Sequence, residues 1–105
     1  MYICLRDSFV SIVRDRTNLK NLLVRARLAG DIERTIANAR VRQTLFADYP
    51  YRASVDATTV ARTISERIQK IDYDNFKDNA DSAHSAVYFS IWQMMRWVQE
   101  GDNDA

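Results

Sequence analysis

The stretch Leu22-Leu23-Val24-Arg25-Ala26-Arg27-Leu28 decides how this chain reads. Leu22, Val24, Ala26 and Leu28 fall at every second position, with Arg25 and Arg27 between them. A period of two is that of a β-strand, whose successive side chains point to opposite faces. The same alternation sets Arg40 and Arg42 against Ala39, Val41 and Gln43, and Arg52 against Tyr51, Ala53 and Val55. Arg14 follows Val10 and Ile12. The expectation is a sheet face that gathers Arg14, Arg25, Arg27, Arg40, Arg42 and Arg52, and such a face calls for an anionic counterpart.

Working outward, Phe9 to Arg14 forms a first strand. It is joined to Leu22–Leu28 by the polar run Asp15-Arg16-Thr17-Asn18-Leu19-Lys20-Asn21, a hairpin pattern. Gly30-Asp31 opens a short helix, with Asp31 as expected N-cap and Ile32 and Ile36 one turn apart. Ala39–Leu45 and Tyr49–Val55 supply two more strands. Pro50 must sit at a strand start or on an edge, because it has no N–H to donate.

Asp56 caps a helix whose Val60, Ala61, Ile64, Ile68 and Ile71 keep three-and-four spacing. Residues 72–79 are too polar for a core element, with Tyr73 and Phe76 as anchors. A last helix starts near Asp81 or Ser82 and ends at Gly101. Its expected core side is Val87, Ile91, Met94, Met95 and Val98, widened by Tyr88 and Trp92. Residues 101–105 read as a frayed acidic tail.

The predicted fold is a single α+β domain over residues 1–105. It has a four-stranded, mostly antiparallel sheet in the order ββαββαα, with helices packed on one face. Two glycines and one proline in 105 residues argue against a linker-rich chain. No apolar run approaches the roughly 18 to 20 residues needed to span a bilayer, so no membrane partner is expected. No basic segment precedes a long apolar stretch, so no signal peptide is expected. The single cysteine, Cys4, cannot form an intramolecular disulfide, which fits a reducing cytoplasm.

Charge is unevenly spread. Residues 1–55 hold ten Lys/Arg against five Asp/Glu, whereas residues 56–105 hold five against nine. Two layers that attract each other would show this asymmetry, and so would a face for an external anion.

The blocks Asp48-Tyr49-Pro50-Tyr51-Arg52 and Ile71-Asp72-Tyr73-Asp74-Asn75-Phe76-Lys77, followed by His84, Tyr88, Trp92 and Met95, resemble a family of small bacterial proteins with no assigned activity. The likeness runs from about Phe9 to Gln99, which makes residues 1–8 an expected N-terminal extension. It implies a bacterial, cytoplasmic, single-domain protein and nothing about substrate.

Motifs that carry chemistry are few. One Cys and one His cannot supply the three or four ligands of a zinc site. Asp72, Asp74, Asp78 and Asp81 cluster, but as a calcium loop the sixth position is Lys77 where glycine is needed, and the twelfth is Ala83 where glutamate is needed. No metal is expected. With glycine only at Gly30 and Gly101 there is no phosphate loop, and no cofactor is expected. Asp72, Asp74, Asp81, His84 and Tyr88 form a polar cluster in which Asp81 and Tyr88 lie within helical reach of His84. Such an arrangement is more often structural than catalytic. Tyr49 and Tyr51, in phase with Ala53 and Val55, read as core residues, leaving the arginine face without aromatics to stack on bases.

The chain therefore reads as a non-enzymatic binding module whose arginines meet an acidic protein surface or a second copy of the chain. Twelve arginines to three lysines favour bidentate carboxylate contacts, and a net charge of +1 is low for a nonspecific nucleic-acid binder. The alternatives are nucleic-acid or nucleotide binding by the same face, a prophage-type regulator or inhibitor of a host system, and a small enzyme centred on His84. Trp92 and Trp97 flank the last helix's stripe on opposite sides, so a homodimer with Trp97 near the contact is expected.

Overall fold

β2 (Ser8–Arg14) and β3 (Asn21–Ala26) form the hairpin that the alternation predicts, with Ser11 opposite Arg25 and Val13 opposite Leu23. The computed structural model describes residues 1–101, so residues 102–105 of the expected tail lie outside the described residues. The sheet is antiparallel throughout but has five strands, not four; with β1 at Tyr2–Leu5, β4 at Arg42–Gln43 and β5 at Tyr51–Asp56, the spatial order is β1-β2-β3-β5-β4. β1 (Tyr2–Leu5) comes from the segment read as an extension; it turns through Arg6-Asp7 and pairs with β2.

The strand expected over Ala39–Leu45 shrinks to β4, Arg42–Gln43, on the edge beside β5 (Tyr51–Asp56). Positive φ at Asn38 and Phe46 bends the chain away on both sides of β4, and the Thr44 N–H is taken by the Pro50 carbonyl at 2.7 Å. Non-glycine residues reach that region only in turns, which stops the ladder.

One sheet face carries Val10, Ile12, Val24, Ala26, Ala53 and Val55, all buried. Against it pack α1 (Asp31–Thr35), through Ile32 and the following Ile36, and α2 (Ala57–Gln69), through Val60 and the half-buried Ile64. Asp56 caps α2 as expected, accepting from the Thr59 N–H at 3.1 Å. Gly30, not Asp31, is the N-cap of α1: its φ of 90° suits glycine, and Asp31 becomes the first helical residue. Ile68 and Ile71 stay exposed, so the apolar stripe of α2 is buried only over its first half.

The order is thus βββαββααα. A four-residue α3 (Phe76–Asn79) lies within the segment judged too polar for an element, and α4 (Ser85–Glu100) starts a turn later than expected. Gly101 ends α4 in a left-handed conformation. Phe76 packs on Tyr88 at 4.9 Å between ring centroids and Tyr73 lies 5.9 Å from Phe76, so both expected anchors are engaged.

The stripe assigned to the core is overturned. Val87, Ile91, Met94, Met95 and Val98 are 41–60% exposed, and Tyr88 is the only buried residue of α4. Helices α1 and α2 already cover the apolar sheet face, and the other face is too polar to bury a third apolar helix. No helix of the described residues is long and apolar enough to cross a membrane.

Candidate anion-binding face

The face turned away from α1 and α2 carries a row of residues in register across the strands. Tyr2 on β1 faces Ser11 on β2, Ser11 faces Arg25 on β3, Arg25 faces Arg52 on β5, and Arg52 faces Arg42 on β4. With strands about 4.8 Å apart, three arginine Cα atoms fall within about 10 Å of each other. Like charges directly opposite one another destabilise a sheet, and here two such pairs adjoin.

Neighbours relieve part of that repulsion. The Arg25 guanidinium donates to Ser11 Oγ at 2.8 Å and lies 4.4 Å from the Tyr49 ring centroid. Arg27 stacks on the same ring, also at 4.4 Å, and donates to the Asp48 carbonyl at 2.8 Å. Arg52 donates to the Tyr49 carbonyl at 3.1 Å and reaches the Asp48 carboxylate at 3.8 Å. Tyr49 is therefore held between two guanidiniums, a cation–π arrangement. A hydrogen bond from Tyr2 and the charge of Arg27 lower its hydroxyl below the usual range, against the opposing effect of burial.

That arrangement corrects the expected place of Tyr49, which precedes β5 and lies against the arginines; Tyr51 packs against the core as expected. Tyr2 and Phe9 also share the polar face, edge to face at 5.6 Å. The arginine face is not free of aromatics, although Tyr49 is already sandwiched.

Not all six arginines belong to the row. Arg14 faces Leu22, which faces Val55, so its strand position lies on the core side. Arg40 precedes β4 and Arg27 follows β3, both outside the ladder. Arg14 nonetheless returns at the rim. An open cleft of about 570 Å³ at the β2–β3 turn is lined by Arg14, Arg16, Arg25 and Arg42 with Val13 and Ser54 among others. Its one carboxylate, Asp15, is taken up by Ser54 Oγ and by the Thr17 hydroxyl and N–H at 2.8 and 2.9 Å, which hold its pKa down at about 2.

Among the described residues no carboxylate lies within ion-pair distance of Arg14, Arg16, Arg25, Arg40 or Arg42. Buried Arg25 Nε has no hydrogen-bond partner at all. The acidic half does not neutralise this face: Asp72 pairs with Arg6 at 3.6 Å and Asp78 with Lys77 at 3.6 Å.

The second expected cluster is a buried clamp. His84 is 2% exposed; Nδ1 is 2.5 Å from the Asp81 carboxylate and Nε2 is 2.8 Å from Asp31 Oδ2. Burial alone would lower the His84 pKa, but the two carboxylates outweigh it and raise it. The His84 bond in turn holds the Asp81 carboxyl below its usual range. Both ring nitrogens are therefore engaged by carboxylates of the fold itself.

Asp31, expected only as a helix cap and not as a partner of His84, also accepts the Phe9 N–H at 2.9 Å and a bond from Arg34. The Tyr88 hydroxyl donates to the Ser8 carbonyl at 2.7 Å rather than to His84. Asp72 and Asp74 make no bond to this cluster. Arg67 donates to Asp7 at 2.6 Å and the Asp81 N–H to the Arg6 carbonyl at 2.8 Å. The β1–β2 turn is thus the point where α1, α2 and α4 are tied together. No group of three or more His, Cys, Asp or Glu among the described residues is gathered to hold a metal ion.

Compared with known proteins, the chain matches no family model, no curated protein and no solved structure.

Proposed function

We propose that the protein is a non-enzymatic binding module whose arginine face receives the carboxylates of an acidic protein surface. The observation that carries this reading is the in-register row Arg25–Arg52–Arg42, with a buried Arg25 Nε left without an acceptor. A buried donor without a partner is unfavourable by about 1–3 kcal/mol, so the chain itself leaves this row incompletely satisfied. Planar guanidiniums suit paired carboxylate contacts, and the sandwiched Tyr49 is unavailable for stacking on a base. Self-association belongs to the same proposal but to another surface, α4, with Trp97 near the contact. Cytoplasmic placement rests on the lone thiol, and a bacterial source on the likeness of the Asp48–Arg52 and Ile71–Lys77 blocks to small bacterial proteins. The alternative of a prophage-type regulator or inhibitor of a host system rests on size and the lack of catalytic motifs.

The test is titration of a fluorescent poly-glutamate peptide and of single-stranded DNA at low and physiological salt. Wild type should bind the peptide, and Arg16→Gln with Arg42→Gln should weaken it at least tenfold without moving the melting temperature. Binding to DNA that persists at physiological salt would transfer the face to phosphates and overturn the carboxylate reading.

A further inference from the structure

We propose that α4 pairs with α4 of a second copy as a two-fold antiparallel helix pair centred between Met94 and Met95; this rests on the reading that the chain self-associates through this helix. Val87, Ile91, Met94, Met95 and Val98, with Trp92 and Trp97 on the two flanks, are each 41–60% exposed on one side of this element, seven large apolar side chains in all, while Phe89 lies on the opposite side. At roughly 150–250 Å² for a large side chain, that is on the order of 700 Å². A standard interface takes about 800 Å² from each partner. Most monomers carry no exposed apolar patch larger than roughly 300–600 Å².

The order of residues identifies the occupant. From Ser90 to Gln99 the chain reads Ser, Ile-Trp, Gln, Met-Met, Arg, Trp-Val, Gln: one polar residue, then two apolar, repeated. Read backwards, the run has the same pattern. A two-fold contact requires that residue i meet j while j meets i. An antiparallel pair centred on Met94-Met95 meets that condition: Ile91 of one copy faces Val98 of the other, and Met94 faces Met95. Trp92 and Trp97, on opposite flanks of the stripe, then close the two edges of the seam.

Charge and position agree. Within α4 the only charged residues, Arg96 and Glu100, bond to each other at 2.8 Å. A helix lying in a bilayer surface would instead carry a lysine- and arginine-rich polar face. At the other end, His84 fastens the start of α4 to α1 and Tyr88 fastens its first turn to β2. An open groove of about 560 Å³ beside Ile91, Trp92 and Phe76 lies where the C-terminal turn of the second copy would arrive.

The experiment uses the full chain with Cys4→Ser, so that added cysteines are the only thiols. Sedimentation equilibrium at micromolar to high micromolar concentration should give twice the 12.2 kDa chain mass, and Met95→Glu should return it to the chain mass with unchanged circular dichroism. Ile91→Cys chains mixed with Val98→Cys chains should form disulfide-linked dimers under mild oxidation. Neither variant alone should do so, because identical positions are then offset by about 10 Å along the helices. Cross-linking of Ile91→Cys to itself would show a parallel pair. A dimer that cross-links in no combination would leave self-association standing and remove this register. A monomer at every concentration would remove both, and a monomer that binds phosphatidylglycerol vesicles would assign the helix to lipid.

Discussion

Replacing His84 with alanine tests the clamp that holds α4 to the body. His84 and Asp31 are 2% and 1% exposed, so the substitution leaves a buried carboxylate with one cation fewer. Removing one member of a buried ion pair costs about 3–5 kcal/mol. Asp31 keeps the Arg34 bond and the Phe9 N–H, which places the expected loss near the lower end, about 3 kcal/mol. That is a large share of the roughly 5–15 kcal/mol that holds a domain folded. Urea denaturation should show a lower midpoint, and hydrogen exchange should show α4 losing amide protection before the strands do. The clamp also has a pH signature. The His84 pKa is raised on folding, so its contribution is complete below the unfolded value near 6.5 and fades as pH rises through the folded value. Asp81, with a lowered pKa, contributes above about 3.8 and fades as pH falls. Protection of α4 should therefore fall on the alkaline side in wild type and be flat there in His84→Gln. An alanine variant within 1 kcal/mol of wild type, with α4 still protected, would refute the clamp.

Tyr88→Phe should lose about 1–3 kcal/mol, because it leaves the buried Ser8 carbonyl without its donor; calorimetry reads this directly. Gly30→Ala should lose about 1–2 kcal/mol, since φ of 90° disfavours a side chain and the new Cβ would sit 2.6 Å from the Arg34 guanidinium, whose flexible end can move aside. Ser54→Ala should raise the Asp15 pKa from about 2 toward the ordinary range, followed by carbon-detected titration. Because a lowered carboxylate stabilises the fold above its unfolded pKa and loses that contribution as it protonates, acid unfolding of this variant should begin at higher pH.

Sequence periodicity and tertiary structure divided the work unevenly. The alternation around Leu22–Leu28 specified β3, its hairpin with β2 and the antiparallel α+β class, because a half-buried strand must repeat every two residues. It also put Arg25, Arg42 and Arg52 on one face, since parity is a local property. Parity also held the answer for Arg14: positions 10, 12 and 14 alternate together, so Arg14 shares the face of Val10 and Ile12. Expecting it among the other arginines ran against its own strand's period; the pairing to Leu22 and on to Val55 places it there.

The clamp was half legible. Asp81 is three residues from His84 and visible as a helical neighbour, whereas Asp31 is 53 residues away and reaches it only through the packing of α1 on the sheet. Arg16 and Tyr49 sit in loops, where no periodicity exists to read.

The last helix shows the division most clearly. Its sequence determined that α4 is helical and apolar on one side. Only the assembled fold decided that this side has nothing of its own to cover, because α1 and α2 had already filled the single apolar face of the sheet.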